Sequence, residues 1–438
     1  MIRLAKEKVN VIGAGLAGVE ASLQLAMRQI PVSLYEMKKH KRSPAHQSDL
    51  FAELVCSNSL RSDQLENAVG LLKAELRQLG SFVMAVADQT RIPAGGALAV
   101  DRELFSNRLT QMVCDHPLID VYDEEVTQIP EGITIIATGP LTSGLLADAI
   151  QDLTGTESLH FYDAVAPIVD ADSLDRSIVY KMNRYQKGDG AYLNCPMTKA
   201  DYDLFYDELI KAECVKQRDF ELQLFDGCLP IEEMARRGYH TLLYGPLKPV
   251  GLARPDYPRP YAVVQLRQDD LAGGLYNLVG FQTHLTFPAQ KRVIRLIPGL
   301  QNATISRYGV MHRNTFVNGP KVLLDTYQIK DHPKWFIAGQ LSGVEGYVES
   351  IGSGLIAGIN AAKLARGKPP VTFPCDTAIG AQAHYIAHAS ATDFQPQNVN
   401  FGFFSGLPGK GSKKDRRLAL AHNSLSIIAT LQEDSILD

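Results

Sequence analysis

Two cysteines stand where a thiol can do chemistry. Cys56 ends the apolar run Phe51-Ala52-Glu53-Leu54-Val55 and opens the polar stretch Ser57-Asn58-Ser59-Leu60-Arg61-Ser62. It reads as a loop residue ahead of an amphipathic helix in which Val69, Leu72, Leu76 and Leu79 recur at helical spacing. Arg61 is near in sequence, and a neighbouring guanidinium favours the thiolate, which is the nucleophilic form. Cys228 lies just before Leu229-Pro230 and a short helix from Ile231 to Arg237, closed by Gly238. A helix N-terminus also favours a thiolate, while Glu232 and Glu233 oppose it. On residue type alone, each cysteine also reads as an inert structural thiol.

The elements that would position them begin with Val9-Asn10-Val11-Ile12, a short buried strand. It runs into the turn Gly13-Ala14-Gly15-Leu16-Ala17-Gly18 and a helix continued by Ala21, Leu25 and Ala26. Gly13 suits the tight turn, Gly15 lets a pyrophosphate approach the backbone, and Gly18 lets helix and strand pack closely. The helix start offers N–H groups to phosphate. A second strand, Val32-Ser33-Leu34-Tyr35-Glu36, ends in an acid at the distance where a carboxylate accepts from an adenosine ribose. The plain alternative is a strand–helix turn with no ligand. The apolar strand Ile133-Thr134-Ile135-Ile136-Ala137-Thr138-Gly139 and a later one, Lys334 to Gly339-Gln340, also end in glycine. Such strand ends return the chain to the cofactor in flavoproteins, and they point to FAD rather than NAD. Gly352, Gly354 and Gly358 follow in an Ala/Ile-rich helix, where a close backbone approach accounts for them.

With 438 residues, two or three domains are expected. The fold class read here is α/β: a Rossmann-like FAD-binding domain of the glutathione-reductase type with an inserted smaller α+β domain. The boundaries are 1–160 for the first part of the FAD-binding domain, 161–320 for the inserted substrate- and RNA-binding domain, and 321–438 for the second part with a basic C-terminal segment. A helix is read over 201–220, with Phe205, Leu209 and Val215 on its apolar face, and a loop over 92–101 before a helix from Asp101 to about Cys114. The net charge of −4 predicts no global attraction to nucleic acid, although a local basic face suffices for binding. His284, Lys291, Arg292, Arg295, Arg307, His312 and Arg313, interleaved with Phe281, Phe287 and Tyr308, read either as groups that suit RNA phosphates and unstacked bases or as the charge-laced surface of a mixed domain. Lys38-Lys39-His40-Lys41-Arg42 reads as a solvated turn or a phosphate contact. Lys410, Lys413, Lys414, Arg416 and Arg417 read as a mobile arm or a solvated tail. None of the six cysteines is in a CxxC pair, so no zinc site or CxxC redox motif is indicated, and no metal is expected. No apolar run is long enough to span a membrane, and the N-terminus leaves no room for a signal peptide; a cytoplasmic enzyme is expected.

Several stretches together resemble the folate- and FAD-dependent tRNA uracil-5-methyltransferases of bacteria. They are Phe51 to Arg61, Pro93 to Arg102, Asn194-Cys195-Pro196-Met197, Gly280-Phe281-Gln282-Thr283-His284-Leu285, Arg307 to Phe316 and Gly346-Tyr347-Val348-Glu349-Ser350. The resemblance implies transfer of the methylene of 5,10-methylenetetrahydrofolate to C5 of the T-loop uridine of tRNA. FADH2 regenerated by NAD(P)H would reduce it to methyl. The partners implied are the tRNA T-arm and folate; the oligomeric state stays open. The resemblance places the two functional cysteines at Cys56 and Cys228, nucleophile and base in either order. It places a folate-stacking histidine at His284 or His312, with Arg313 beside the substrate. It also implies cofactor contacts along Gly13, Ala14, Gly15, Leu16, Ala17, Gly18, Glu36, Gly139, Gly339, Gln340 and Gly352. Gln29 replaces the family's usual glycine in a turn, and Phe394-Gln395-Pro396-Gln397-Asn398-Val399-Asn400-Phe401 departs from the usual pattern. The same chemistry on ribosomal RNA, a small-molecule flavin oxidoreductase and an FAD-bearing RNA chaperone are the alternatives.

Overall fold

The computed structural model describes residues 7–43, 45–156, 159–184, 192–215, 229–254, 258–404 and 411–437; at 160–163 and 312–313 it describes the backbone alone. The first strand, Val9–Ile12, lies inside a six-stranded sheet. Its neighbours are Val32–Glu36 and Thr134–Ile136, both parallel to it, with Val11 facing Leu34 on one side and Ile135 on the other. Ile119–Asp123 extends the sheet beyond Val32–Glu36. His332–Ile337 pairs in parallel with Thr134–Ile136, and Gln328–Ile329 adds an antiparallel edge. Val9, Val11, Leu34, Ile135 and Phe336 are fully buried, as expected of parallel strands covered on both faces. Segments from both ends of the chain therefore build one sheet.

Gly13 turns the chain at φ +96°, and a side chain there would meet the Ala137 carbonyl oxygen at 2.6 Å. The helix that follows, Leu16–Met27, packs on Tyr347–Ala365. A Cβ at Gly354 would sit 2.3 Å from the Ala17 carbonyl oxygen, and one at Gly358 would sit 3.0 Å from the Ala21 backbone. The glycines inside the late helix are thus the contact surface that lets two helices cross backbone to backbone, which offsets their helix-propensity cost.

A second, all-antiparallel sheet orders Tyr180–Lys181, Tyr192–Met197, Ala262–Gln268, Leu275–Leu278, Ile168–Asp170 and Ile305–Arg307. Tyr202, Phe205 and Leu209 from helix Lys199–Lys211 pack with Val293 and Ile294 from helix Phe287–Arg295 in a separate core. Two antiparallel strands, Leu159–Ala164 and Met311–Phe316, run between the two sheets, with Met311 opposite Ala164. Their far end is tied to the first sheet by Thr315 N–H to the Pro140 carbonyl (2.8 Å) and Val317 N–H to the Leu341 carbonyl (2.9 Å).

Three local expectations are corrected. The helix over 201–220 ends at Lys211, because Glu213–Val215 is drawn into pairing with 284–286: Thr286 N–H donates to Glu213 O (2.8 Å) and Val215 N–H to His284 O (2.9 Å). Val215 is 54% exposed rather than on an apolar face, and 216–220 lies outside the described residues. The loop over 92–101 contains strand Ala97–Val100, which pairs with both Arg91–Ile92 and Ser59–Ser62. The C-terminal basic cluster, Lys410 apart (outside the described residues), opens helix Lys413–Glu433, started by a Ser412–Asp415 capping box. Its Ser424 hydroxyl donates to Glu75, whose carboxylate also accepts from Ala378 and Ile379 N–H (2.7 and 2.8 Å). A helix docked through a buried carboxylate is neither a mobile arm nor a solvated tail. Among the described residues no helix is long and apolar enough to cross a membrane.

Candidate functional site

An open groove with about 1070 Å³ of empty space runs along the C-terminal ends of the parallel strands. Gly13, Gly15, Leu16, Ala17, Glu36, Gly139, Gly339 and Gln340, all read from the sequence as cofactor contacts, line it. Ala14 and Gly18 stand behind them. The Ala14 N–H donates to Glu36 Oε2 (2.8 Å) and the Lys38 N–H to Oε1 (3.0 Å). That fixes the carboxylate while leaving lone pairs for hydroxyl donors. A Cβ at Gly18 would fall 1.8 Å from the Gly13 carbonyl oxygen. Gly352 is elsewhere: it is buried, with Ile379 and Leu72 nearest, and the groove meets its helix through Tyr347 and Ser350. The helix N-terminus at Gly15 has no side-chain cap and no acid in its first turn, so its N–H groups suit an anion. The donor set and the glycine cradle fit a dinucleotide.

Lys38, His46, Glu53, Val55, Glu124, Glu125, Thr138 and Ser143 are among the other lining residues and were not singled out as its walls. The basic loop beside Glu36 is a solvated turn, as one of its two readings expected: Lys39 to Arg42 are exposed, and at the surface Lys39 meets Asp123 at 2.7 Å and Lys41 meets Glu125 at 2.6 Å. Lys38 is buried and donates to the Leu50 carbonyl; burial lowers its ammonium below the ordinary lysine range.

Cys56 sits half-buried at the groove's rim, next to the lining residue Val55. Its N–H donates to the Tyr347 hydroxyl (2.8 Å), as does that of Ser57 (3.2 Å), and its sulfur lies 4.0 Å from the Ala164 carbonyl oxygen. Burial and the nearby Cys56 push the Tyr347 phenol upward, so Tyr347 stays a neutral hydroxyl. Three arginines grip this loop. Arg102 donates to the Leu54 carbonyl and forms a two-pronged pair with Asp269 (2.9 and 3.0 Å). Arg307 donates to the Val55 carbonyl (2.8 Å). Arg267 donates to Ser57 Oγ (2.6 Å) and Asn58 Oδ1 (3.1 Å). Arg102 and Arg267 both interact electrostatically with the Cys56 sulfur. Arg61, the sequence neighbour expected to do this, takes a left-handed backbone (φ +62°) and pairs with buried Glu349 instead.

His284 lies in the second core, not open for stacking. Its Nδ1 is 2.8 Å from Glu232 Oε1, and its ring hydrogen-bonds to Cys214. Burial disfavours its charge, but Cys214 and Glu232 outweigh that and lift its pKa to about 10. For Cys214, burial raises the thiol, while His284 and Arg236 (3.4 Å) reverse the sign and lower it. This cysteine–histidine pair was not singled out from sequence; its partners are far apart along the chain. Cys228 lies outside the described residues. His312 and Arg313 are on the connecting strand Met311–Phe316, opposite Asp163 and Tyr162 in register.

The chain has close relatives at full length. It is 59% identical to the methylenetetrahydrofolate–tRNA-(uracil-5-)-methyltransferase TrmFO of Lysinibacillus sphaericus, covering 97% of this chain and 98% of that one. It is 58% identical to the protein of the same name from Bacillus subtilis, covering 98% and 99%. The family model described as Glucose inhibited division protein A matches residues 8–369. The chain belongs to the TrmFO family. The TrmFO fold seen here is also that of GidA from Aquifex aeolicus, whose form II crystal structure superposes with a TM-score of 0.68 at 18% identity, covering all of this chain and 76% of that one. At that identity the likeness concerns the fold alone.

Proposed function

We propose that this protein methylates C5 of a T-loop uridine in tRNA, with 5,10-methylenetetrahydrofolate as the one-carbon donor. FAD occupies the groove and NAD(P)H reduces it. The observation that carries the reading is Cys56 held at the groove's rim by Tyr347, a groove-lining residue. Gly13, Gly15 and the uncapped helix start would hold the pyrophosphate, Glu36 the ribose, and Gly139, Gly339 and Gln340 the far wall. Bound FAD would supply the reducing electrons for the transferred carbon.

Uracil C5 is a weak nucleophile. Addition of the Cys56 thiolate at C6 forms an S–C6 bond and moves the ring electrons onto C5, which then attacks the methylene carbon. A base removes the C5 proton, and the C–N bond between the methylene and tetrahydrofolate breaks with the electron pair leaving on nitrogen. The exocyclic methylene left on C5 takes up the hydride that bound FAD would supply; the S–C6 bond then breaks and the thiolate is regenerated. Arg102 and Arg267 stabilise the anionic sulfur. Cys228 is the other candidate for nucleophile or base; the two roles stay open between them.

Residues 161–320 would form the unit that holds tRNA. Phe287, Lys291 and Arg295 are exposed and successive turns apart on one face of helix Phe287–Arg295. The Phe287 ring stacks on Tyr308 at 4.6 Å. That strip suits phosphates and an unstacked base. Of the other basic residues in this region, Arg307 is buried on carbonyls and Arg292 is paired with Glu208 and Glu213, while His312 and Arg313, described by backbone alone, stay candidates for the substrate. The target base must leave its stack to reach the sulfur. We place the reaction in the cytoplasm, with tRNA.

The test is incubation of purified protein with labelled methylenetetrahydrofolate, NADPH and either unmodified tRNA or, in parallel, unmodified large-subunit ribosomal RNA. Label in the tRNA uridine, lost in Cys56→Ala, is the expected result. Label only in large-subunit ribosomal RNA would reassign the substrate, and undiminished transfer by Cys56→Ala would overturn the assignment of the sulfur.

A further inference from the structure

Helix Ala378–His388 carries His384 and His388 four residues apart, so both rings leave the same face. Their centroids are 4.3 Å apart. Opposite them stands Asp325, in the turn between helix Gly319–Val322 and strand Gln328–Ile329. That turn is held by Tyr327 N–H to Leu324 O (2.8 Å) and Leu324 N–H to Gln328 O (2.9 Å). The helix is held just as firmly, by the Thr377 cap and by Glu75 accepting from its first two N–H groups. Both sides of the cluster are therefore preset by backbone structure.

Asp325 Oδ1 is shut off from solvent, and among the described residues none donates a hydrogen bond to it. Its close neighbours are His388 Nε2 at 3.0 Å and His384 Nδ1 at 3.8 Å, both off the hydrogen-bond axis. One ligand atom from each residue lies within 4.8 Å of the other two. A buried carboxylate oxygen without a donor is costly, and a cation between the three groups would satisfy it.

We propose that Asp325, His384 and His388 bind a divalent transition metal of the zinc class. Two imidazole nitrogens and one carboxylate oxygen are the donors that zinc, cobalt and nickel take, rather than calcium or magnesium. Both imidazoles are about half exposed, 47% and 54%, so they can close the short distance to a shared ion and leave its fourth position to water. The ion would staple the Asp325 turn to the C-terminal end of the helix. None of the three residues lines the groove, so the site is separate from the one that holds the sulfur. A second cluster, Cys214, Glu232 and His284, is equally compact. There the Cys214 sulfur already accepts from Arg236, and both Glu232 oxygens already accept, from Thr283 and from the His284 backbone N–H; its one orphaned atom among the described residues is His284 Nδ1, so this cluster serves as the control in the titration.

The experiment uses tag-free full-length protein titrated with Co2+, read by visible d–d absorption, followed by Zn2+ displacement. A single saturable equivalent is expected, with Asp325→Asn and His388→Gln each weakening it by roughly 10- to 100-fold. Cys214→Ser should bind as the wild type does, and zinc should raise the melting temperature of the wild type but not of the two ligand variants. Absence of saturable uptake by the wild type, or uptake unchanged in Asp325→Asn and His388→Gln, overturns the proposal; so does loss of the site in Cys214→Ser alone.

Discussion

The hydroxyl oxygen of Tyr347 accepts the backbone N–H of Cys56 at 2.8 Å. With the Ser57 N–H on the same oxygen, one phenol from the late helix sets the loop that carries the sulfur. Tyr347→Phe removes that acceptor from two partly buried donors. The expected cost is about 1–3 kcal/mol of stability, with kcat falling further than KM rises. Thermal melting and steady-state transfer assays check both; a variant with wild-type kcat would show that the loop is positioned by other means.

Arg267 reaches the loop through Ser57 and Asn58 and acts on the Cys56 sulfur at a distance. Arg267→Gln should slow alkylation of Cys56 by iodoacetamide near neutral pH by roughly 10-fold. Arg267→Lys should recover part of the rate, because it keeps the charge but not the fork. Peptide mapping by mass spectrometry reads Cys56 apart from the other thiols.

The exposed strip of helix Phe287–Arg295 leads to an RNA-specific expectation. Lys291→Glu and Arg295→Glu should each raise KM for tRNA, leave kcat nearly unchanged and lower the salt slope of binding by about 1 per lost phosphate contact. Phe287→Ala should weaken binding by about 1–3 kcal/mol with little change in that slope. Filter binding across a salt series separates the two effects.

His284 gives the pH dependence. Its folded pKa is about 10 against an ordinary value of 6.5. A raised base stabilises the fold when protonated, so its contribution is fully present below about pH 6.5 and is lost as pH rises through about 10. Melting curves of wild type and His284→Gln should therefore differ most at low and neutral pH and converge toward pH 10. A difference that grows with pH would reverse the assigned charge.

Gln29 sits at φ +60° in the turn after the first helix. A side chain in that left-handed region costs about 1–2 kcal/mol, which glycine avoids. Gln29→Gly should raise stability by up to about 1 kcal/mol in urea unfolding, with activity unchanged.

By itself, the sequence determined whatever depends on neighbours along the chain. The glycine turn, the acid at Glu36 and the strand ends at Gly139 and Gly339 are short-range patterns, and they meet in one groove. The glycines at 354 and 358 announced a close contact, and Ala17 and Ala21 are what they touch. The Phe394 to Phe401 stretch, odd in sequence, is tied by Asn398 to the Glu345 carbonyl and by the Val399 N–H to Glu349. The tertiary structure alone decided which charges surround the sulfur. Arg61 is five residues from Cys56 yet turns to Glu349, while Arg102, Arg267 and Arg307 arrive from three separate elements. The end of the helix at Lys211, the Cys214–His284 pair and the meeting of Asp325 with two histidines were settled the same way. Periodicity reports which face of an element is apolar; it carries no record of which distant backbone will compete for that element's hydrogen bonds or charges.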